Sequence, residues 1–411
     1  MKAMGGAPAS HGLFISASFE DFLKRLWKST IAFFYPTNPD ERRRKMIKEA
    51  IGKLVLKKDL TAMEMEEVMG EITSKRASTA QIASFLTALR MKGETPGEIT
   101  AAAKVLKEKS LKMNLGGNSV CLDREEITVE RETILSTAKG LSGGTTLFNV
   151  STATALVVAG GGQKVAKYVR KSLHPLCGCA DVIEALGINL DMTPTQLERC
   201  FKTVGICFLH EPLVHNGLEN VISIRRKIGI RTLFNLLDPL INPGEAKVQV
   251  LGVYDPNLTE KMAAVLMNLG VEKGLVIHGK DTLDEISITG ETRVTEFREG
   301  EVRSYLIKPE DFGMKRAELV EIRGGTKEKN AEIILEVLKG IKGARRDIVL
   351  LNSAAVFMIA GEARDFHEGI RLASHSIDSG KALDTLKRLA EFTHTEQRFL
   401  RSLDFSSTGI S

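Results

Sequence analysis

Leu147-Phe148-Asn149-Val150-Ser151-Thr152-Ala153-Thr154-Ala155, followed by Gly160-Gly161-Gly162 and Lys164-Val165-Ala166-Lys167, decides the fold class of this chain. The small and apolar residues after Asn149 predict a helix, the glycines a helix-to-strand turn, and residues 164–168 a strand. Helix, glycine turn and strand in succession are α/β grammar. Asn149, Ser151 and Thr152 stand at the helix start, where side-chain oxygens can cap the first turn. Backbone N–H groups there can also face an anion, because dipole and donors act together on phosphate. Helix capping alone and a phosphate cradle are both open on this spacing.

Outward from that stretch the grammar repeats. Residues 248–253, 275–278 and 347–351 read as further strands, with crossover helices at 260–269 and 328–338, so a mostly parallel sheet is expected. Residues 287–289, 293–297 and 302–306, punctuated by Gly290 and Gly300, read as an antiparallel meander attached to it. Upstream the period is helical. Helices are expected from 40–50, after Leu60-Thr61, after Thr79, and from Thr95-Pro96-Gly97-Glu98, where Pro takes the first helical position. Residues 41–113 therefore form a small helical domain, which the helix at 216–227 can join, and 130–411 form the α/β domain. In residues 1–40, Phe19, Phe22, Leu23, Leu26, Trp27, Ile31 and Phe34 are spaced as an amphipathic helix over 17–34, suited to packing on its own protein or on a second copy.

With 411 residues, 43% of them hydrophobic and 27% charged, the chain can bury a sizeable core. A formal charge of +5, dispersed along the sequence, gives no footprint for nucleic acid and leaves anionic small substrates compatible. No apolar run has membrane-spanning length, and the first twelve residues lack a charged start followed by an apolar core, so no membrane association is expected. Five cysteines, an odd number, predict free thiols and a cytoplasmic setting.

Three clusters can carry chemistry. Asp284-Glu285 places two carboxylates in an expected loop before Ile286-Ser287-Ile288, a donor set that suits magnesium bridging to substrate phosphates, although a solvated turn has the same sequence. Lys164, Lys167, Arg170 and Lys171 with Ser172 form a basic run close to the helix start, able to grip phosphate oxygens. His215, Arg225, Arg226 and Arg231 form the third, in which Arg225 can clamp a carboxylate through two parallel bonds. Cys177-Gly178-Cys179 with His174 does not complete a zinc site, and Gly160-Gly161-Gly162 lacks the register of a dinucleotide loop.

Taken together the residues resemble the anthranilate phosphoribosyltransferase family, which shares its fold with the pyrimidine nucleoside phosphorylases. The likeness runs from about residue 45 to 390. It rests on Ile82-Ala83-Ser84-Phe85-Leu86-Thr87-Ala88-Leu89-Arg90 with Lys92-Gly93-Glu94-Thr95, on Phe148-Asn149-Val150-Ser151-Thr152, and on Gly178 to Asp181 with Glu184-Ala185-Leu186-Gly187-Ile188-Asn189-Leu190. It continues through Arg225-Arg226, Gly229-Ile230-Arg231-Thr232-Leu233-Phe234-Asn235, Pro239-Leu240-Ile241-Asn242-Pro243, Gly252-Val253-Tyr254 and Leu283-Asp284-Glu285-Ile286-Ser287.

The resemblance implies a helical domain joined to an α/β domain, a homodimer through the helical domain, and phosphoribosyl pyrophosphate in the cleft between domains. It assigns Asn149, Ser151, Thr152, Lys167 and Ser172 to the sugar-phosphate donor, Asp284 and Glu285 to Mg2+, and His215, Arg225 and Arg170 to a small-molecule acceptor. The implied reaction passes ribose-5-phosphate to an amine and expels pyrophosphate, with no enzyme nucleophile.

The chain departs from the family pattern in the ligand-facing loops. The glycine-rich Gly-Thr-Gly-Gly-Asp-Gly loop falls on Lys139-Gly140-Leu141-Ser142-Gly143-Gly144, so Leu141 stands where glycine lets backbone amides reach the ligand. A His-Gly-Asn-Arg segment becomes Tyr168-Val169-Arg170-Lys171, Gly-Pro-Leu becomes Asp238-Pro239-Leu240, and Ser-Lys-Ser-Gly-Ser becomes Pro175-Leu176-Cys177-Gly178-Cys179. These changes predict an aromatic or nitrogenous acceptor other than anthranilate. Their alternative consequence is a non-catalytic family member that binds a phosphorylated metabolite or a protein.

Overall fold

The computed structural model describes residues 46–110, 113, 120–124, 147–169, 178–210, 218–241, 247–281 and 284–406. Helices α1 (Met46–Val55), α2 (Ala62–Thr73), α3 (Thr79–Lys92) and α4 (Pro96–Lys109) come first. Their boundaries follow from capping. Thr61 with Glu64, Ser78 with Gln81 and Thr95 with Glu98 each close a reciprocal capping box, and Pro96 opens α4.

The α/β part runs β1 (Val120–Arg124), α5 (Val150–Gly160), β2 (Val165–Val169), α6 (Cys179–Ala185), α7 (Pro194–Thr203), β3 (Ile206–His210), α8 (Glu219–Ile228), α9 (Leu233–Leu237), β4 (Val248–Gly252), α10 (Leu258–Asn268) and β5 (Lys273–Gly279). There follow β6 (Thr292–Arg298), β7 (Glu301–Ile307), α11 (Lys327–Leu338), α12 (Ala344–Ala360), α13 (Phe366–Asp378) and α14 (Lys381–Ser406). The strands form one sheet in the order β3-β2-β1-β4-β5-β6-β7. Strands β1 to β5 are parallel, and β6 and β7 extend the sheet antiparallel.

Each central strand feeds two cores by alternation. Val250, Leu275 and Ile277 face one hydrophobic cluster with Leu156, Val349 and Ile377 from α5, α12 and α13. Leu251 and Val276 face the other, with Met262 and Leu266 of α10, Phe85 of α3, and Val221 and Ile224 of α8. The second cluster thus continues from the sheet into the helical unit. Lys261 Nζ also donates to Glu94 O across 2.6 Å, and Arg231 stacks on Tyr254 with its guanidinium carbon 3.5 Å from the ring centre.

Two expected strands are absent. Residues 347–351 lie inside α12, a helix buried on almost every side, whose run Ile348-Val349-Leu350-Leu351 has no polar face to reveal a helical period. Its neighbour comes so close that a Cβ on Gly369 would sit 2.7 Å from the Ala354 backbone. Residues 287–289 are a bend, in which Ser287 Oγ accepts from the Thr289 and Gly290 amides at 2.9 and 3.2 Å instead of joining a ladder. The meander consists of β6 and β7.

Candidate active site

From β1 the chain moves outward through β2 and β3 and then returns to place β4 on the other side of β1. That reversal makes β1 and β4 a topological switch point, the position at which open α/β sheets bind ligands beyond their strand carboxyl ends. Helix α5 ends just before β2 begins, and at 11 residues it reaches back about 16 Å, bringing Asn149 and Ser151 to the carboxyl edge of the sheet.

The helix start is built from distant partners. Asn149 occupies the N-cap position but makes no side-chain capping bond. Its Nδ2 donates to Cys179 Sγ at 3.4 Å, and Asn330 Nδ2 donates to its Oδ1 at 3.2 Å. Asn330 Oδ1 in turn accepts from Gly325 N at 2.7 Å, and a Cβ on Gly324 would come within 2.8 Å of Leu147 O and Phe148 N. The amides of Val150, Thr152 and Ala153 bond backward, to Phe148 O and Asn149 O. Hydroxyls remain: Ser151 Oγ and Thr152 Oγ1 are buried and have no hydrogen-bond partner among the described residues. The capping reading is therefore corrected, and the polar capacity of this helix start lies mainly in side chains.

Lys167, central in β2, is 2% exposed and has no ion pair among the described residues. A buried ammonium is stabilised by an anionic partner. Ser172, Arg170, His215, the loop 139–144 and the helix expected over 17–34 lie outside the described residues.

Asp284-Glu285 follows β5 on the same carboxyl edge. A Cβ on Gly252, the last residue of β4, would fall 1.8 Å from Asp284 O, so only glycine lets this loop settle on the strand end. The next residue is clamped: Asn352 Oδ1 accepts from Ile286 N at 3.0 Å while Asn352 Nδ2 donates to Ile286 O at 2.9 Å. Glu285 is buried and Asp284 half-buried at the rim. Two hard oxygen donors fit magnesium, which keeps several waters and takes its remaining ligands from phosphate. No cluster of three or more His, Cys, Asp or Glu suited to a metal occurs among the described residues.

Arg225 stands in the last turn of α8, beneath the helical unit. Its guanidinium is buried, with Nη2 3.3 Å from Asp238 Oδ2 and its carbon 5.8 Å from the centre of the Phe234 ring. Asp238 opens a short 3-10 turn through Leu240, and Gln249 Nε2 of β4 donates to Pro239 O at 3.0 Å. Because Gln249 pairs with Cys121 of β1, the Arg225–Asp238 pair is tied through Pro239 to the β1–β4 seam of the sheet. Cys179, Cys200 and Cys207 are free thiols, as expected, and burial pushes the Cys207 thiol well up.

Residues 140–383 match the glycosyl transferase family a/b domain, and residues 48–110 match the helical bundle domain of that family. The chain is 48% identical over 349 residues, 85% of its length, to an anthranilate phosphoribosyltransferase of Citrifermentans bemidjiense, of which 99% is covered. The chain belongs to the anthranilate phosphoribosyltransferase family. Its fold is similar to the crystal structure of the Thermus thermophilus anthranilate phosphoribosyltransferase, with TM-score 0.75, 34% identity, and coverage of 84% of this chain and 99% of that one. The Saccharomyces cerevisiae anthranilate phosphoribosyltransferase, solved in complex with PRPP and Mg, gives TM-score 0.74 and 25% identity over 85% of this chain and 99% of that one. This family member is thus a phosphoribosyltransferase-type enzyme with a small helical domain and a larger α/β domain. No described helix is long and apolar enough to cross a membrane.

Asn330, Asn352 and Gly252 support the site and were not singled out for that role from sequence. Asn330 and Asn352 lie 181 and 66 residues from the groups they hold, and no local pattern announces such partners.

Proposed function

We propose that this chain is a magnesium-dependent phosphoribosyltransferase that passes ribose-5-phosphate from phosphoribosyl pyrophosphate to an aromatic or nitrogenous acceptor other than anthranilate. The reading is carried by one observation: buried hydroxyls at the start of α5, unpartnered among the described residues, and the Asp284-Glu285 carboxylates share the carboxyl edge of the parallel strands of one sheet. Ser151, Thr152, Lys167 and Ser172 hold the donor phosphates, with Asn149 fixed by Asn330 and Cys179 as the frame. Asp284 and Glu285 would hold the cation, which would supply positive charge against the negative charge developing on the departing pyrophosphate. Arg225, Arg170 and His215 border the acceptor.

An acceptor nitrogen forms a bond to the anomeric carbon as the C–O bond to pyrophosphate breaks, and the nitrogen then loses its proton to solvent. Positive charge grows on the sugar and negative charge on the leaving group, so the chain's contribution is to place both ends.

A homodimer through the helical domain accompanies this reading, supported by Val55, Leu56, Met63 and Met91, which stand exposed on α1 to α3 and the turn after α1. Pyrophosphate release is measured across a panel of aromatic amines and nitrogen heterocycles with magnesium present. Release with at least one non-anthranilate acceptor is expected. Donor binding without release from any acceptor identifies the non-catalytic binding protein instead.

A further inference from the structure

A buried arginine beside an acceptor pocket ordinarily recognises a carboxylate through two parallel N–H bonds. Here Asp238 already engages one of its donors. Asp238 Oδ2 lies 3.3 Å from Arg225 Nη2, with the two side chains only 3% and 12% exposed. Both two-pronged edges of a guanidinium include Nη2, so a carboxylate held there crowds each of them. Arg225 Nε is buried without a hydrogen-bond partner among the described residues. Nε suits a carbonyl oxygen or ring nitrogen, whereas an anion bracketed through an edge that includes Nη2 meets the Asp238 carboxylate already there.

The pair is held rigidly. Phe234 stacks against the guanidinium, Pro239 restricts the backbone after Asp238, and Gln249 fixes Pro239 O to the sheet at 3.0 Å. The family resemblance puts a glycine before this Pro-Leu, whereas this chain carries the Asp238 carboxylate there.

We propose that Asp238 is a specificity-determining residue that occupies Arg225 and turns the acceptor site from anionic aromatic amines toward uncharged ones. A carboxylate entering the site meets one cation and one anion instead of a lone cation, so the attraction that would offset its desolvation is lost. An uncharged acceptor meets no such opposition. The inference rests on the reading of Arg225 as an acceptor-side residue.

Anthranilate and its uncharged isostere 2-aminobenzamide make the decisive pair, since ring and amine are the same and only the charged group differs. Each is titrated by fluorescence into the wild type, Asp238→Asn and Asp238→Gly, with phosphoribosyl pyrophosphate and magnesium present. The wild type is expected to bind the amide at least as tightly as anthranilate. Both variants are expected to tighten anthranilate by about tenfold while moving the amide by less than about threefold. A wild-type preference for anthranilate overturns the proposal and needs no variant, and so does a parallel shift of both ligands in the variants. Donor binding measured on the same samples separates the two readings. Its absence defeats the proposed function, whereas intact donor binding with an unmoved anthranilate-to-amide ratio defeats the role of Asp238 alone.

Discussion

Asn330 Nδ2 donates to Asn149 Oδ1 across 3.2 Å, joining two residues 181 positions apart at the start of α5. The same Asn330 holds the Gly325 amide at 2.7 Å, so one side chain locks the 324–330 segment to the helix start. Replacing Asn330 with Ala removes both bonds and leaves a partly buried amide unsatisfied, a cost of about 1–3 kcal/mol. Asn330→Ala is expected to lower the melting temperature by several degrees and to raise the KM for phosphoribosyl pyrophosphate more than it lowers kcat. A variant with altered kcat and unchanged donor KM removes Asn330 from the support of the donor site.

Ser151 and Thr152 separate stability from binding. Their hydroxyls are buried and unpartnered among the described residues, so the free protein gains nothing from them. Thr152→Val keeps the shape and removes the hydroxyl, and is expected to leave stability within about 1 kcal/mol of the wild type or raise it. Donor affinity should fall about tenfold. A marked loss of stability with unchanged donor affinity would assign Thr152 to packing.

The carboxylate pair makes the cation test. Asp284→Asn keeps the loop on Gly252 while weakening the charge, and its donor binding should require about 10–100-fold more magnesium. Calorimetry at graded magnesium concentrations reads this directly. An unshifted magnesium midpoint moves the cation site elsewhere.

Arg346 and Asp378 set an acid limit away from the site. Arg346 is almost fully buried and meets both carboxylate oxygens, at 2.7 and 2.8 Å. The guanidinium beside Asp378 holds its carboxyl down to about 2, against an ordinary 3.8. A carboxylate depressed in the folded state contributes stability above its unfolded value and loses it as pH falls through the folded one. Urea unfolding of the wild type should therefore show an added loss between about pH 4 and pH 2 that Asp378→Asn lacks. Equal losses in both proteins contradict that contribution.

The helical unit was legible because its signals are local. Thr61, Ser78 and Thr95 each lie three residues before a Glu or Gln, and the structure uses all three as capping boxes. Strands β2, β4 and β5 were legible from β-branched runs bounded by turns. Residues 347–351 were not, because a wholly buried helix shows the same unbroken apolar run as a buried strand. Of the site, Asn149 and Asp284-Glu285 were visible as residue types in a suggestive order. Their supports were not, since Asn330, Asn352 and Gly252 act across long separations and through backbone shape. The Asp238 departure was visible in the sequence, but its direction toward Arg225 required the 3-10 turn and the Gln249 bond.

Calorimetric titration of the full chain with phosphoribosyl pyrophosphate, with and without magnesium, reads the donor site itself. Saturable one-site binding that strengthens with magnesium, and loses that strengthening in Asp284→Asn, is the predicted result. Absence of donor binding at any magnesium concentration, or binding indifferent to both the cation and the substitution, would contradict a donor site built from the start of α5 and the Asp284-Glu285 loop.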